Sequence, residues 1–336
     1  MERWTLPLLA LAGIALFVLH LALGPVAVPW PALKDVLLGR PADPGHVTIL
    51  WELRLPRAIT AAAAGAGLAA CALMLQTLFR NPLAGPSVLG ISSGAALGVA
   101  LLMLGAPLLP MLALPPQLAL VAGAFAGALG VLLLMLLADR RVGDGHTLLI
   151  VGIMLGYLCS ALISVLQAAG PPAALKGFVL WGMGSYAGVT NAQLAWLLVP
   201  VAVGLGMALL FAKPLNALLL GQEQAAALGT NVPRVRRTVI AVAGLLAGTI
   251  TAFCGPIAFL GLATPHVVRG MVRTADHARL MPATILCGMV LSLLCDLVVR
   301  LPGQGGSVPL NAVTALLGAP VVGWVLLRGR RWSSSA

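Results

Sequence analysis

Residues 53–98 read LRLPRAITAAAAGAGLAACALMLQTLFRNPLAGPSVLGISSGAALG. Arg54 and Arg57 stand three residues apart, an apolar run follows as far as Arg80, and a Gly/Pro/Ser break then interrupts sequence that turns apolar again. The run matches the ~20 apolar residues that a helix needs to cross a bilayer. Within it, Ala61, Ala64, Gly65 and Gly67 are small enough to let neighbouring helices approach closely. Arginines at the end of such a run mark a membrane–water boundary. The stretch therefore predicts a tightly packed transmembrane helix that starts at a charged rim.

The rest of the chain is of the same kind. Its 336 residues are 60% hydrophobic and 9% charged, with a mean hydropathy of +1.04, whereas soluble domains are ~45–50% apolar and ~25% charged. Working outward, apolar segments fall at 5–24, 56–79, 88–108, 116–138, 147–168, 191–212, 238–254, 256–272, 280–299 and 310–327. The expectation is an all-α polytopic membrane protein of about ten spans, one domain over 1–336, with no room for a soluble catalytic domain. The first segment has a long apolar run and no polar cleavage region, so it is read as a span and not as a signal peptide.

The net charge of +11 is distributed as a topology signal, which argues against nucleic acid as a partner. With ten spans both termini share one side. Of the 20 Lys and Arg, only Lys34, Arg40, Arg54, Arg57, Lys176 and Arg300 fall on the other. The termini are therefore read as cytoplasmic. Cys71, Cys159, Cys254, Cys287 and Cys295 lie in apolar segments without C-x-x-C spacing, as packing residues do.

Two connections are longer than turns. Residues 25–55, on the outer side, contain five prolines and are expected to form short surface helices. Residues 213–237, on the inner side, begin KPLNALLLGQEQAAALGTNV. Leu215, Leu218, Leu219, Ala226 and Leu228 would form the apolar face of a helical hairpin broken at Gly221 and stopped at Gly229. Gln222 to Leu228 carries no basic residue, which favours a protein partner over the lipid surface. Where the seventh and eighth segments meet at Gly255-Pro256, a broken or re-entrant helix is the alternative to two full spans.

LRLPR, LFRNPLAGPSVLGISSGAALG, GQEQAAALGTNV, FCGPIAFLGLATPHVVR and NAVTALLGAPVVGWVLLR together resemble the FecCD-type permeases of ATP-binding-cassette importers, which carry ferric siderophores, haem or vitamin B12 into bacteria. The resemblance implies the transmembrane domain of a type II importer in the bacterial cytoplasmic (inner) membrane. It also implies partners: a second permease subunit, taken as an identical copy, two cytoplasmic ATP-binding subunits, and a periplasmic or lipoprotein substrate-binding protein. The residues agree that ATP is bound elsewhere. A Walker A loop ends in Gly-Lys-Ser/Thr, but Lys34, Lys176 and Lys213 follow Leu33, Leu175 and Ala212. No cofactor is expected in this chain; ATP and Mg belong to the partner ATPase, and the chain itself is not an enzyme.

The resemblance also implies roles for particular residues. Arg54, Arg57 and Arg300 match rim arginines that pair with carboxylates of the binding protein, although Asp296, one turn before Arg300, offers an internal partner instead. Glu223, Ala226, Leu228 and Gly229, with Leu218 and Leu219, match the coupling helices that sit on the ATPase. Asn81 and Leu83, with the loop from Gly143 to Thr147 that includes Gly145 and His146, match the cytoplasmic gate, and Asp144 with His146 makes that loop unusually polar. His266, in a PHxxR motif, lacks a second ligand at i+3 or i+4 and is read as a packing hydrogen bond, not a metal ligand. Trp181, Met183 and Tyr186 are packing residues or, alternatively, substrate contacts.

The expected function is import of a ferric siderophore, with haem or cobalamin as alternatives that the resemblance does not separate. A remote alternative is an ion-coupled secondary transporter, which needs ionisable groups at the bilayer midplane. Asp296 is the one acid placed within a span, near its outer end.

Overall fold

The computed structural model describes residues 2–26, 28–105, 115–142, 145–300 and 308–329. Gly143 and Asp144 of the expected gate loop lie outside the described residues. In chain order the helices are α1 (Glu2–Ala22), α2 (Trp30–Leu37), α3 (Pro44–Thr48), α4 (Leu55–Leu78), α5 (Ile91–Met103), α6 (Pro116–Val142), α7 (Gly145–Ala169), α8 (Pro172–Gly182), α9 (Asn191–Leu210), α10 (Ala212–Leu219), α11 (Gln222–Ala227), α12 (Val232–Cys254), α13 (Leu260–Val272), α14 (His277–Val299) and α15 (Leu310–Gly329). A π-helical turn over Ile49–Arg54 leads into α4, and a 3-10 turn over Pro86–Leu89 precedes α5.

Seven of the described helices are long and apolar enough to cross a membrane, and α5 and α15 are shorter apolar helices. The Gly255-Pro256 junction is a break: the chain is non-helical from Gly255 to the start of α13 at Leu260, and α13 has 13 residues. Such backbone must find partners inside the protein. Asn311 of α15 supplies them, donating to Pro256 O and accepting from Ala258 N–H, while Ser185 N–H donates to Cys254 O. Helix α8 lies in a stretch that the span pattern left unassigned. Its 11 residues reach only ~16 Å at 1.5 Å per residue, too short to register against a 20-residue rule.

Helix α4 is the post around which the others stand, and every residue from Ala64 to Phe79 is buried. Its small residues account for this. A Cβ at Gly65 would strike the Gly288 carbonyl of α14, and one at Gly288 would strike the Gly65 carbonyl. A second close crossing joins α5 to α6, where Gly94 faces Gly127 and Gly98 faces Gly123. In lipid, helices gain little from hydrophobic exclusion and associate through packing and interhelical hydrogen bonds, so such contacts carry much of the stability. On α6, α7 and α9, Leu133, Tyr157 and Trp196 are each more than half exposed, an apolar surface suited to lipid or a partner permease.

Candidate functional site

At the end expected to face outward, Arg54, Arg57 and Arg300 converge, but they are not equivalent. Arg54 is 3% exposed. Its Nη1 donates to Leu21 O and Ala22 O at 2.7 Å each, and its Nη2 donates to Val26 O. Arg300 is also buried and donates through Nη2 to Leu23 O at 2.8 Å, with His20 beside it. The two guanidinium groups thereby satisfy carbonyls at the C-terminus of α1 that no helical N–H can reach, at the negative end of its dipole. Arg57 differs. Its Nε and Nη2 hold Asp296 side-on at 2.8 and 2.7 Å, and its side chain remains 19% exposed.

The Asp296–Arg300 pair seen in the sequence is therefore the longer contact, at 3.9 Å. The tighter partner of Asp296 comes from α4. Arg57 and Arg300 share the Asp296 carboxylate, while Arg54 is engaged by backbone carbonyls. The three arginines line a recess of about 340 Å³ that Val26, Glu52 and Thr190 also border, and with two carboxylates to three guanidinium groups the rim keeps an excess of positive charge. As docking residues, Arg54 and Arg300 are turned inward, and Arg57 alone of the three presents an appreciable surface.

At the opposite end, expected to face the cytoplasm, the 213–237 segment forms two short helices. Gly221 adopts φ +118° between α10 and α11, and Gly229 adopts φ +83° after α11. Leu215, Leu218 and Ala225 are buried against the bundle. Leu219, Leu220 and Leu228 are exposed, Leu228 by 68%, and Glu223, Ala226 and Gly229 lie on the same open side. The apolar face expected for the hairpin is thus divided, with Leu218 turned inward and Leu219, Ala226 and Leu228 outward.

Beside the hairpin, α4 closes in a paired-bond cap: Arg80 N–H donates to Thr77 O and Asn81 N–H to Gln76 O, with Arg80 at φ +48°. The turn that follows is braced. Asn81 Oδ1 accepts from Leu83 N–H, and the carbonyl of Pro82 lies 2.8 Å from His266 Nε2. One turn further along α13, Arg269 Nη1 donates to Gln76 Oε1 at 2.7 Å. The PHxxR motif is therefore a brace beneath the turn. Leu83, His146 and Thr147 are exposed, whereas Gly145 is buried near Phe79 and the amide of Gln222. Tyr186 is fully buried with its hydroxyl 2.7 Å from Ser292 Oγ, and Trp181 stacks on Phe178, so both act in packing.

Two polar clusters escaped the sequence reading. Asp139, 2% exposed at the C-terminal end of α6, pairs with Arg236 and Arg237 of α12; in the sequence it stands beside Arg140 and Arg141, which hide that distant pairing. Asn216, Asp276, His277 and Thr77 form the other, at the root of the hairpin. Among the described residues, no group of three or more His, Cys, Asp and Glu could hold a metal ion.

A multi-span bundle with a cationic rim at one end, and a braced turn and an exposed apolar hairpin at the other, has the parts of a transport pathway worked by other subunits. Comparison with known proteins identifies which. The chain belongs to the FecCD transport family, whose profile matches residues 10–328. It is a multi-pass permease subunit of an ABC importer and not itself an enzyme. It is 36% identical over 329 residues to the vitamin B12 import system permease protein BtuC of Shigella boydii, a match covering 98% of this chain and 96% of that protein. The same figures hold for BtuC of Salmonella schwarzengrund. A solved structure of a metal-chelate type ABC transporter in an inward-facing conformation aligns with TM-score 0.83 and 31% identity, covering 98% of this chain and all of that one. These likenesses establish the all-helical type II importer fold expected from the sequence.

Proposed function

We propose that this chain is the membrane-spanning subunit of an ATP-driven importer of cobalamin. The observation that carries the reading is the 36% identity, over 98% of the chain, to permeases named for vitamin B12 import. It reverses the order of cargoes drawn from the sequence, where a ferric siderophore stood first. The match to a metal-chelate transporter fits the same bulky class of cargo.

In this reading the chain pairs with a second copy in the bacterial inner membrane, both termini cytoplasmic. A substrate-binding protein docks on the outer rim, where Arg57, held by Asp296, offers a directional donor to a carboxylate. Two ATPase subunits seat against Leu219, Glu223, Ala226, Leu228 and Gly229. Leu83, His146 and Thr147, at the inner mouth, close against the other copy. ATP and the loaded binding protein then favour different states of the pathway, which is all that alternating access requires.

The cargo is tested on the cognate binding protein, titrated with cyanocobalamin, haemin and a ferric siderophore. Tightest binding of cyanocobalamin is expected. Selective binding of the ferric siderophore would restore the reading first drawn from the sequence.

A further inference from the structure

The hairpin α10–α11 is attached to the bundle by a cluster of four side chains, with a second tether beside it. Asn216 of α10 uses both ends of its amide. Its Oδ1 accepts from the backbone N–H and from the ring Nδ1 of His277, each at 2.8 Å, and its Nδ2 donates to Asp276 Oδ1 at 2.6 Å. Asp276 is the N-cap of α14, where it also accepts from Ala278 N–H. On the other side of the ring, Nε2 of His277 lies 2.7 Å from the hydroxyl of Thr77 on α4, which also reaches Leu73 O at 3.0 Å. His277 is 1% exposed, so this chain of bonds runs through the protein and not through water. A second tether lies beside it: Arg80 Nη2, at the end of α4, donates to Leu219 O at the end of α10.

Both tethers reach the last turn of α4, immediately before the turn at Asn81–Leu83. Leu215 and Leu218 also hold α10 to the bundle, but apolar contacts can slide, whereas a two-ended amide bond fixes direction and register. We infer that Asn216, clasped by Asp276 and His277, is the joint that converts movement of the hairpin into movement of α4 and α14 at the inner mouth. Asn216 is a positioning residue in this scheme. The inference rests on the proposed seating of the ATPase on the hairpin, and its test must tell the two apart.

The test uses the assembled complex of two permeases and two ATPase subunits, with spin labels placed pairwise across the two copies. The five native cysteines are buried, so introduced ones can be labelled at exposed sites. Lys213→Cys reports the start of α10, and Ser87→Cys reports the inner mouth. In the otherwise native complex, nucleotide should change both distances. In Asn216→Ala the Lys213 distance should still respond while the Ser87 response is lost, and substrate moved per ATP should fall about tenfold, the scale of a typical coupling between sites. Retention of the Ser87 response in Asn216→Ala would overturn the joint.

An exchange of partners guards against a merely structural defect. Asn216→Asp alone sets two carboxylates against each other, and adding Asp276→Asn restores one donor and one acceptor. The double variant should recover the Ser87 response that the single variant lacks. If it assembles but stays uncoupled, or if it fails to assemble, the joint is overturned. Leu228→Asp examines the seating itself: retention of ATPase subunits by that variant would refute the docking surface. Their loss, with Asn216→Ala still fully coupled, would refute the joint alone.

Discussion

Arg57 of α4 and Asp296 of α14 lie 239 positions apart in the chain and meet side-on, with Nε 2.8 Å from Oδ2 and Nη2 2.7 Å from Oδ1. The same two helices touch further along at Gly65 and Gly288. A directional ion pair thus closes the outer end of a crossing that glycine backbone contact makes possible. Asp296 is also the carboxylate that Arg57 and Arg300 share. Asp296→Ala should therefore cost more than loss of a surface pair, on the order of 3–5 kcal/mol for breaking a buried one, while Asp296→Asn, which keeps an acceptor, should cost less. Thermal unfolding of the detergent-solubilised protein checks the order.

The rim arginines should separate by function. Arg57→Glu should weaken capture of the binding protein by about 2 kcal/mol or more, roughly 30-fold in Kd, and should also lower thermal stability, because it sets a second carboxylate against buried Asp296. Arg54→Ala should lower stability but leave capture unchanged, because it uncaps α1 and removes nothing from the surface. Binding measured on immobilised permease, alongside melting curves, distinguishes the two.

Glycines at helix crossings should be intolerant where those on open faces are not. Gly98→Ala would drive a methyl group into the Gly123 carbonyl and should destabilise by about 1–3 kcal/mol, as overpacking does. Gly130, on the same α6 helix, has nothing within 4 Å of an added Cβ. Gly130→Ala should be neutral or slightly stabilising, since alanine is the better helix former. Melting temperatures of the two variants give the comparison.

What the sequence disclosed, and what it withheld, follows from the range of each signal. Apolar runs and flanking arginines are local, so the long spans, the hairpin break at Gly221 and the stop at Gly229 were legible. The 11-residue α8 fell below the length at which a run declares itself, whereas the 13-residue α13 showed as an apolar segment whose break at Gly255-Pro256 was one of two readings. The expected rim and gate residues gather at the two ends of α4, but the orientation of their side chains was not legible. Whether Arg54 faces a binding protein or the carbonyls at the end of α1 depends on a helix more than 30 residues away. The partners of Asp139 and Asn216 are 97 and 60 or more positions distant, and no spacing rule reaches that far.

Asp276, in the loop before α14, gives a pH dependence. The Asn216 amide and the Ala278 N–H both donate to its carboxylate and hold its pKa below the ordinary value. A depressed folded-state pKa contributes stability that is fully present above the unfolded value, about 3.9 for aspartate, and that is lost as pH falls through the lower folded value. The N-terminus of α14 should therefore be unaffected from neutral pH down to about pH 5 and loosen below about pH 4. Hydrogen exchange at the first turn of α14 should show this, and Asp276→Asn should abolish the acid step.

The most direct measurement of the whole account is uptake into proteoliposomes containing this permease, its ATPase subunits and nothing else that transports, with loaded binding protein on one side. Uptake of cyanocobalamin that requires ATP, the ATPase subunits and the binding protein together, and that ignores an imposed ion gradient, is the predicted result. Uptake that continues without the ATPase subunits when an ion gradient is supplied would contradict it.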